Sequence, residues 1–255
     1  MNEAEIQPNN HDIDRIDSSS SATEFHSDSQ SLLPPRSQRL ARPKVAVDIV
    51  LFAAENGRLK CYLVQLKRGT LKSKWAFPGG LVKVGEVLDA AARRELAATT
   101  GLDDAYLEQL FTFGDPSRDP RAHVVSVAYM ALISDSAEVK APSGKYTNAA
   151  WFEVSQLPTL AYDHSLMARY ALKRLKAKLE YSNIAYSLLP ESFTFKQLEE
   201  LYATILGRPL DRRNFRRRIL AMALLKKLPA KRRGRHRPAA LYSFASRSPQ
   251  IVEML

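Results

Sequence analysis

Five polar side chains in the stretch DRRNFRRRIL have the chemistry to read a nucleic acid: Arg212, Arg213, Asn214, Arg216 and Arg217. An arginine can donate two parallel hydrogen bonds to guanine, and an asparagine amide matches the edge of adenine. At helical spacing Phe215 and Ile219 share one face, and the arginines fall largely elsewhere. Such a helix buries an apolar stripe and offers its N-terminal half to a major groove. Downstream, PAKRRGRHRPAALYSF adds Lys231, Arg232, Arg235, His236 and Arg237, which suit phosphate or minor-groove contacts. Residues 182–255 hold 15 Lys and Arg against 5 Asp and Glu, so nearly all of the chain's net charge of +11 sits there. A merely solvated helix pair is the rival reading. It is weakened because the charge gathers on one helix and one loop that a duplex would meet together.

A second group of residues lies in GGLVKVGEVLDAAARRELAATTGL. In a helix, positions 95, 98 and 99 share one face. Glu95 is the only charged group of the three, because Ala98 and Thr99 fill the others. The stretch resembles the Nudix box, G-x5-E-x7-R-E-U-x-E-E-x-G-U with U aliphatic. Gly80, Glu86, Arg94, Glu95, Leu96, Gly101 and Leu102 match at fixed spacing, and WAFPGG precedes them as in that family. The resemblance implies carboxylates on this face that hold Mg²⁺ or Mn²⁺ beside a diphosphate and activate water. An Ala methyl cannot bind a hard cation, and a Thr hydroxyl is a weak neutral ligand. The expectation is a fold that survives with its metal site crippled: no catalytic residue, no metal and no cofactor. Glu86 and Arg94 are expected to pair and hold the loop against the helix rather than to catalyse. Leu88, Ala92 and Leu96 read as core.

The surviving pocket implies a nucleoside diphosphate derivative as ligand, with Phe77, Gly80, Phe113, Arg118 and Arg121 as its contacts. Three of these belong to FTFGDPSRDPRAH, residues 111–123. Phe113 either stacks on a base or lines the core. Arg118 and Arg121 either meet phosphates through charge-assisted bidentate bonds or form surface salt bridges. His123 has no metal-spaced partner and is not expected to be a ligand.

These side chains need elements to position them. KVAVDIVLFAAE and CYLVQLKRG read as strands joined by a turn at ENGR, HVVSVAYMALIS as another strand and AAWFEVSQLP as a shorter one. Helical periodicity appears over 87–98 and 164–180, with Asp163 as N-cap of the latter. The mixture predicts an α+β chain in which helices pack on a sheet. After residue 182 the pattern is mostly helical. TFKQLEELYATILG opens with Thr194 and Gln197 in capping-box spacing and closes on Gly207. Asp211 is the expected cap of a second helix, RRNFRRRILAMALLKKL, and the basic loop then leads into a short strand. Residues 1–42 are polar and Ser-rich, and are expected to be a disordered, passive extension. The single cysteine, Cys61, rules out an intrachain disulfide and suits a reducing compartment. With neither a secretory signal nor a membrane-length apolar run, a cytoplasmic location is expected.

Taken in order, the degenerate box, FGDPSRDPR, VVSVAYMAL, YDHSLMARYALKRL, FTFKQLEELYATILG, LDRRNFRRRIL and RGRHRPAALYSF resemble the Nudix-related transcriptional regulators, the NrtR family, over residues 44–245. The resemblance implies a Nudix-type α/β/α sandwich over 43–181 and a winged helix-turn-helix domain over 182–255. It also implies a homodimer on an inverted-repeat DNA operator, repression of NAD-metabolism genes, and ADP-ribose or a related nucleotide as effector. Relatives in that family control sugar catabolism instead. Two rival functions remain: an ADP-ribose pyrophosphatase that recruits replacement ligands such as Glu86 or Asp115, and an RNA-binding Nudix protein.

Overall fold

The computed structural model describes residues 42–136, 139, 144–232 and 238–252. The expected N-terminal tail lies outside them up to residue 41. Two long strands form the spine: β1 (Lys44–Glu55) and β6 (Val124–Ile133), paired in parallel from Lys44 opposite Val124 to Ala53 opposite Ile133. β1 turns into β2 (Arg58–Leu66) through Asn56 and Gly57, both at positive φ, the backbone a tight hairpin requires. The seven-stranded sheet runs β3-β2-β1-β6-β5, with β3 at Trp75–Ala76 and β5 at Tyr106–Phe113. β4 (Gly79–Leu81) pairs with β1, and β7 (Tyr146–Glu153) pairs with β2. β3, β4 and β5 were not legible as strands in the sequence, and β7 begins before the stretch expected there.

Side chains along β1 alternate between two apolar cores. Val47, Ile49, Leu51 and Ala53 pack with Ala91, Ala92 and Leu96 of α1 (Leu88–Thr100). Val50 and Phe52 face the other way, into a core that contains Met167, Ala168, Ala171 and Leu175 of α2 (His164–Tyr181). A strand buried on both faces reads as a continuous apolar run, as KVAVDIVLFAAE does. The sheet therefore lies between the two helices, as the sandwich expectation requires. Asp48 is the exception in that run, buried on the α2 side.

The second core does not end with the sheet. Through Leu175 and Leu179 it continues into Ile184, Leu188, Phe193, Leu198, Tyr202 and Phe215. These belong to a smaller assembly: β8 (Phe193–Thr194), α3 (Phe195–Leu206), α4 (Arg212–Ala221), β9 (Leu225–Arg232) and β10 (Ala239–Phe244), with sheet order β8-β10-β9. Thr194 and Gln197 form the expected capping box, and Gly207 closes α3 in the left-handed conformation at φ 71°.

One expectation is corrected here, and a second holds in position but not in bonding. The second helix of this assembly does not run on through ALLKKL. It stops at Ala221, Ala223 turns left-handed at φ 54°, and Leu225–Arg232 becomes β9. The apolar spacing of this segment suits either state, and pairing with the distant β10 decides it. Pro229, which has no N–H to donate, sits within the irregular stretch of that pairing on an edge strand. Asp163 flanks α2 at the N-cap position, but its side chain makes no capping bond. Its carboxylate is engaged by Arg118 instead.

Candidate functional site

Where β1 and β6 begin, β4, Glu95 of α1 and the loop after β5 border a cleft of about 750 Å³. Gly79 and Gly80 make its wall thin. A Cβ on Gly79 would fall 2.4 Å from the Val47 carbonyl oxygen and 2.2 Å from Asp48 Oδ1. On Gly80 it would fall 2.3 Å from Glu95 Oε1. Only glycine lets the strand approach β1 and α1 this closely.

The helix face that would carry metal-binding carboxylates presents Glu95 alone to the cleft. Ala98 is exposed, Thr99 is buried, and neither lines the cleft. Both oxygens of Glu95 are taken: Arg94 Nη1 donates to Oε1 at 2.5 Å and Lys145 Nζ to Oε2 at 2.5 Å. Arg94 also grips Glu86 in bidentate fashion, Nε to Oε1 at 2.6 Å and Nη2 to Oε2 at 2.8 Å. The Arg94 bonds, joined by the backbone N–H of Lys83, hold the Glu86 carboxyl down at about 2. The pair thus fastens the loop to the helix, as expected from the sequence. Asp115 accepts from the backbone and hydroxyl of Ser117 and is not among the residues that line the main cleft.

On the opposite wall Arg118 is almost wholly enclosed. Its Nε and Nη2 bind Asp163 at 2.7–3.1 Å, and Nη2 lies 3.5 Å from Asp48 Oδ2. Ser126 Oγ donates to the same Asp48 oxygen at 2.5 Å. Burial pushes the Asp48 carboxyl up, but His164, Ser126 and Arg118 outweigh it and hold the group below its usual value. His164 is buried, stacks on Phe77 and accepts the Phe77 backbone N–H at Nδ1. Its Nε2 has no hydrogen-bond partner, and the nearest carboxylate oxygen is 3.6 Å away, on Asp48. Arg121 binds Asp119 and lies 5.5 Å from the centre of the Tyr162 ring. Tyr162 itself is held at φ 53°, a conformation that costs a bulky residue free energy and that clusters at ligand sites.

Of the five expected effector contacts, Phe77, Gly80, Arg118 and Arg121 line this cleft. Phe113 does not. It is buried between Phe111 and Tyr170 and borders a smaller neighbouring hollow, so its second reading, a core residue, is the one the packing supports. The two arginines combine both readings, since each is salt-bridged and each borders the cleft. Sequence reasoning missed Asp48, Lys145, Tyr162 and His164. A lone acid inside an apolar strand was a usable signal for Asp48, whereas nothing local marked Lys145.

The second candidate surface is α4. Asp211 caps it, accepting from the backbone N–H groups of Arg213 and Asn214. Phe215 and Ile219 are buried, while Arg212, Arg213, Asn214, Arg216 and Arg217 are exposed. Arg216 folds back to donate to the Tyr242 hydroxyl at 3.0 Å, with its guanidinium 4.4 Å from the Phe195 ring centre. Arg217 donates to Asn214 Oδ1 at 2.8 Å, which occupies one of that oxygen's two lone pairs. Arg232 is exposed on β9. The side chain of Lys231 and all of Arg235, His236 and Arg237 lie outside the described residues.

Comparison with known proteins matches both halves. Residues 42–175 match the NUDIX domain, and residues 185–244 match the NrtR DNA-binding winged helix domain. An ADPR-responsive transcriptional repressor of Acinetobacter baylyi is 35% identical over 206 residues, which span 80% of this chain and 82% of that protein. An ADP-ribose pyrophosphatase of Methanocaldococcus jannaschii is 35% identical over 122 residues, 48% of this chain and 69% of that enzyme. Shewanella oneidensis NrtR in complex with a 27mer DNA superposes with a TM-score of 0.71 at 35% identity, covering 78% of this chain and 93% of that one. Its NUDIX domain complexed with ADP ribose gives 0.50 at 33% identity, over 56% and 93%. The NUDIX and winged-helix matches together run from residue 42 to residue 244, and the repressor match spans 80% of the chain against 48% for the pyrophosphatase. The chain belongs to the NrtR family of Nudix-related transcriptional regulators.

Proposed function

We propose that this protein is a DNA-binding repressor that senses ADP-ribose, or a closely related nucleotide, through a Nudix domain that no longer hydrolyses it. The observation that carries this reading is the pairing of two surfaces on one chain. One is a cleft bordered by Arg118, Arg121 and Lys145 whose metal-binding helix face has a single carboxylate. The other is a capped helix that exposes four arginines and an asparagine. Arg212, Arg213 and Asn214, at the start of α4, are the base readers in this account. Arg216 and Arg217 are held by their neighbours and adjust on binding. Lys231, Arg232, Arg235, His236 and Arg237 contact the DNA backbone. The protein acts in the cytoplasm as a homodimer on an inverted repeat whose half-sites lie about one helical turn, or a multiple, apart. NAD-metabolism genes are the proposed targets.

The test starts by selecting bound duplexes from genomic fragments, then titrates the selected duplex at fixed salt with and without ADP-ribose. Salt is held constant because it alone shifts affinity strongly. ADP-ribose is expected to weaken binding, and Arg213→Ala or Asn214→Ala to cost roughly 1–3 kcal/mol and relax base preference. Equal affinity for duplex DNA and RNA, or no preferred sequence, would sink the operator reading. Identical curves with ADP-ribose bound would sink the effector. Incubation of ADP-ribose with Mg²⁺ or Mn²⁺ is expected to give negligible hydrolysis, and turnover on the order of 10 per second would restore the enzyme reading.

A further inference from the structure

A divalent cation is what the Nudix family implies for the face around Glu95, and the residues here do not fit one. Mg²⁺ and Mn²⁺ take oxygen ligands, mostly carboxylates, and Mg²⁺ demands near-octahedral geometry. The face supplies one carboxylate, a methyl at Ala98 and a buried hydroxyl at Thr99. Among the described residues no three His, Cys, Asp or Glu side chains converge as a metal-binding group. Moreover, the one carboxylate is already shared between two cations, Arg94 Nη1 and Lys145 Nζ, each at 2.5 Å.

The placement of Lys145 is specific. Its ammonium also donates to the Gly79 carbonyl at 2.5 Å, so two of its three hydrogens are committed to the cleft wall. The side chain is still 49% exposed and borders the cleft, which leaves a donor for a ligand. We infer that the Lys145 ammonium stands where the divalent cation of a Nudix hydrolase would stand, and that it holds the effector's diphosphate directly, without metal. An ammonium supplies fixed positive charge and a hydrogen bond to a phosphate oxygen. It does not polarise a water into a nucleophile as a divalent ion does. The substitution therefore separates binding from hydrolysis. It also excludes the metal, because a divalent ion at Glu95 Oε2 would meet the ammonium's charge at contact distance.

This inference rests on the proposed effector, so the experiment has two arms. In the first, ADP-ribose binding to the full chain is measured calorimetrically in EDTA and in Mg²⁺. Equal affinity is expected for the unsubstituted protein, with a loss of about tenfold for Lys145→Gln in EDTA and a smaller loss for Lys145→Arg. Binding that needs Mg²⁺, or that Lys145→Gln leaves unchanged, overturns the inference while the effector reading stands. In the second arm, Mn²⁺ alone is titrated and followed by electron paramagnetic resonance. The unsubstituted protein is expected to exclude Mn²⁺ from Glu95, and Lys145→Gln, made together with Ala98→Glu and Thr99→Glu to supply the missing carboxylates, to admit it. Tight Mn²⁺ binding by the unsubstituted chain that Glu95→Gln removes overturns the inference. If ADP-ribose fails to bind at all, the effector reading falls, and the Mn²⁺ arm still decides whether the lysine keeps the metal out.

Discussion

Glu86 and Glu95 share one arginine, Arg94. Glu86 is held by Arg94 and the Lys83 backbone, with its carboxyl lowered from 4.5 to about 2. A depressed carboxyl stabilises the fold above its unfolded value and loses that contribution as pH falls through its folded value. The native protein is therefore expected to exceed Glu86→Gln in stability at neutral pH, and the gap to close between pH 4.5 and about 2. Denaturant titrations at stepped pH read this, and a pH-independent gap would mean that shape rather than charge holds the loop. The two cleft arginines differ in burial. The Arg118 side chain is 3% exposed and serves two acids, whereas Arg121 is 55% exposed. Removing a partner from a buried pair costs about 3–5 kcal/mol, against at most about 1 for an exposed pair. Arg118→Ala should therefore damage the fold as well as the cleft. Arg121→Gln, which keeps a donor for Asp119, should blunt the effector response with little loss of stability. What the sequence disclosed at this scale was set by spacing. Glu86, Arg94 and Glu95 announce themselves through a fixed motif, but Lys145 reaches Glu95 across 50 residues through sheet pairing.

Helix ends were the most legible elements, because capping is local. Thr194 with Gln197, Gly207 and Asp211 all stand where short-range chemistry puts them. Asp211→Ala removes the acceptor for two backbone N–H groups at the head of α4 and is expected to cost about 1 kcal/mol. Thermal unfolding measures the cost. DNA titration should show a matching loss, since a frayed first turn carries Arg212, Arg213 and Asn214 with it. Unchanged DNA affinity in a destabilised variant would place base reading further along the helix. The far end of α4 was misread because helix and strand make equal use of Leu220, Leu224, Leu225 and Leu228 until β10 supplies partners. β3 and β4 escaped for a different reason: strands of two and three residues have no periodicity to detect.

At the scale of the molecule, the continuous core from Met130 through Leu175 and Leu179 to Phe193 and Phe215 ties the cleft-bearing sheet to the DNA-facing helices. Leu175 is fully buried, and truncation to Ala is expected to cost about 2–5 kcal/mol. Because the core is shared, that loss should appear in both halves at once. Both tryptophans, Trp75 and Trp151, lie in the larger sheet, so their fluorescence reports that half, while far-ultraviolet dichroism reports helices of both halves, α1 to α4. The two probes should give one coincident transition, and separate midpoints would show that the halves unfold independently. Deleting residues 182–255 is for the same reason a poor way to assign DNA binding, since it would strip the cover from Leu175 and Leu179. Under the proposed function, the shared core is the route by which the effector would act on the operator. Reciprocity then requires DNA to weaken effector binding by the same factor, typically about 5–150-fold.

The small sheet ends in β9, whose outer edge pairs with no strand among the described residues. A row of unpaired backbone donors invites other chains to add on and grow a fibre. Here that row is interrupted by Pro229, which cannot donate, and flanked by Lys226 and Lys227, whose like charges repel a second copy. The same lysines belong to residues 182–255, which carry nearly all of the net charge of +11. Charge that draws in a nucleic acid thus also keeps the free protein from polymerising through its own edge, and Pro229→Val together with Lys227→Thr would expose the molecule to that fate.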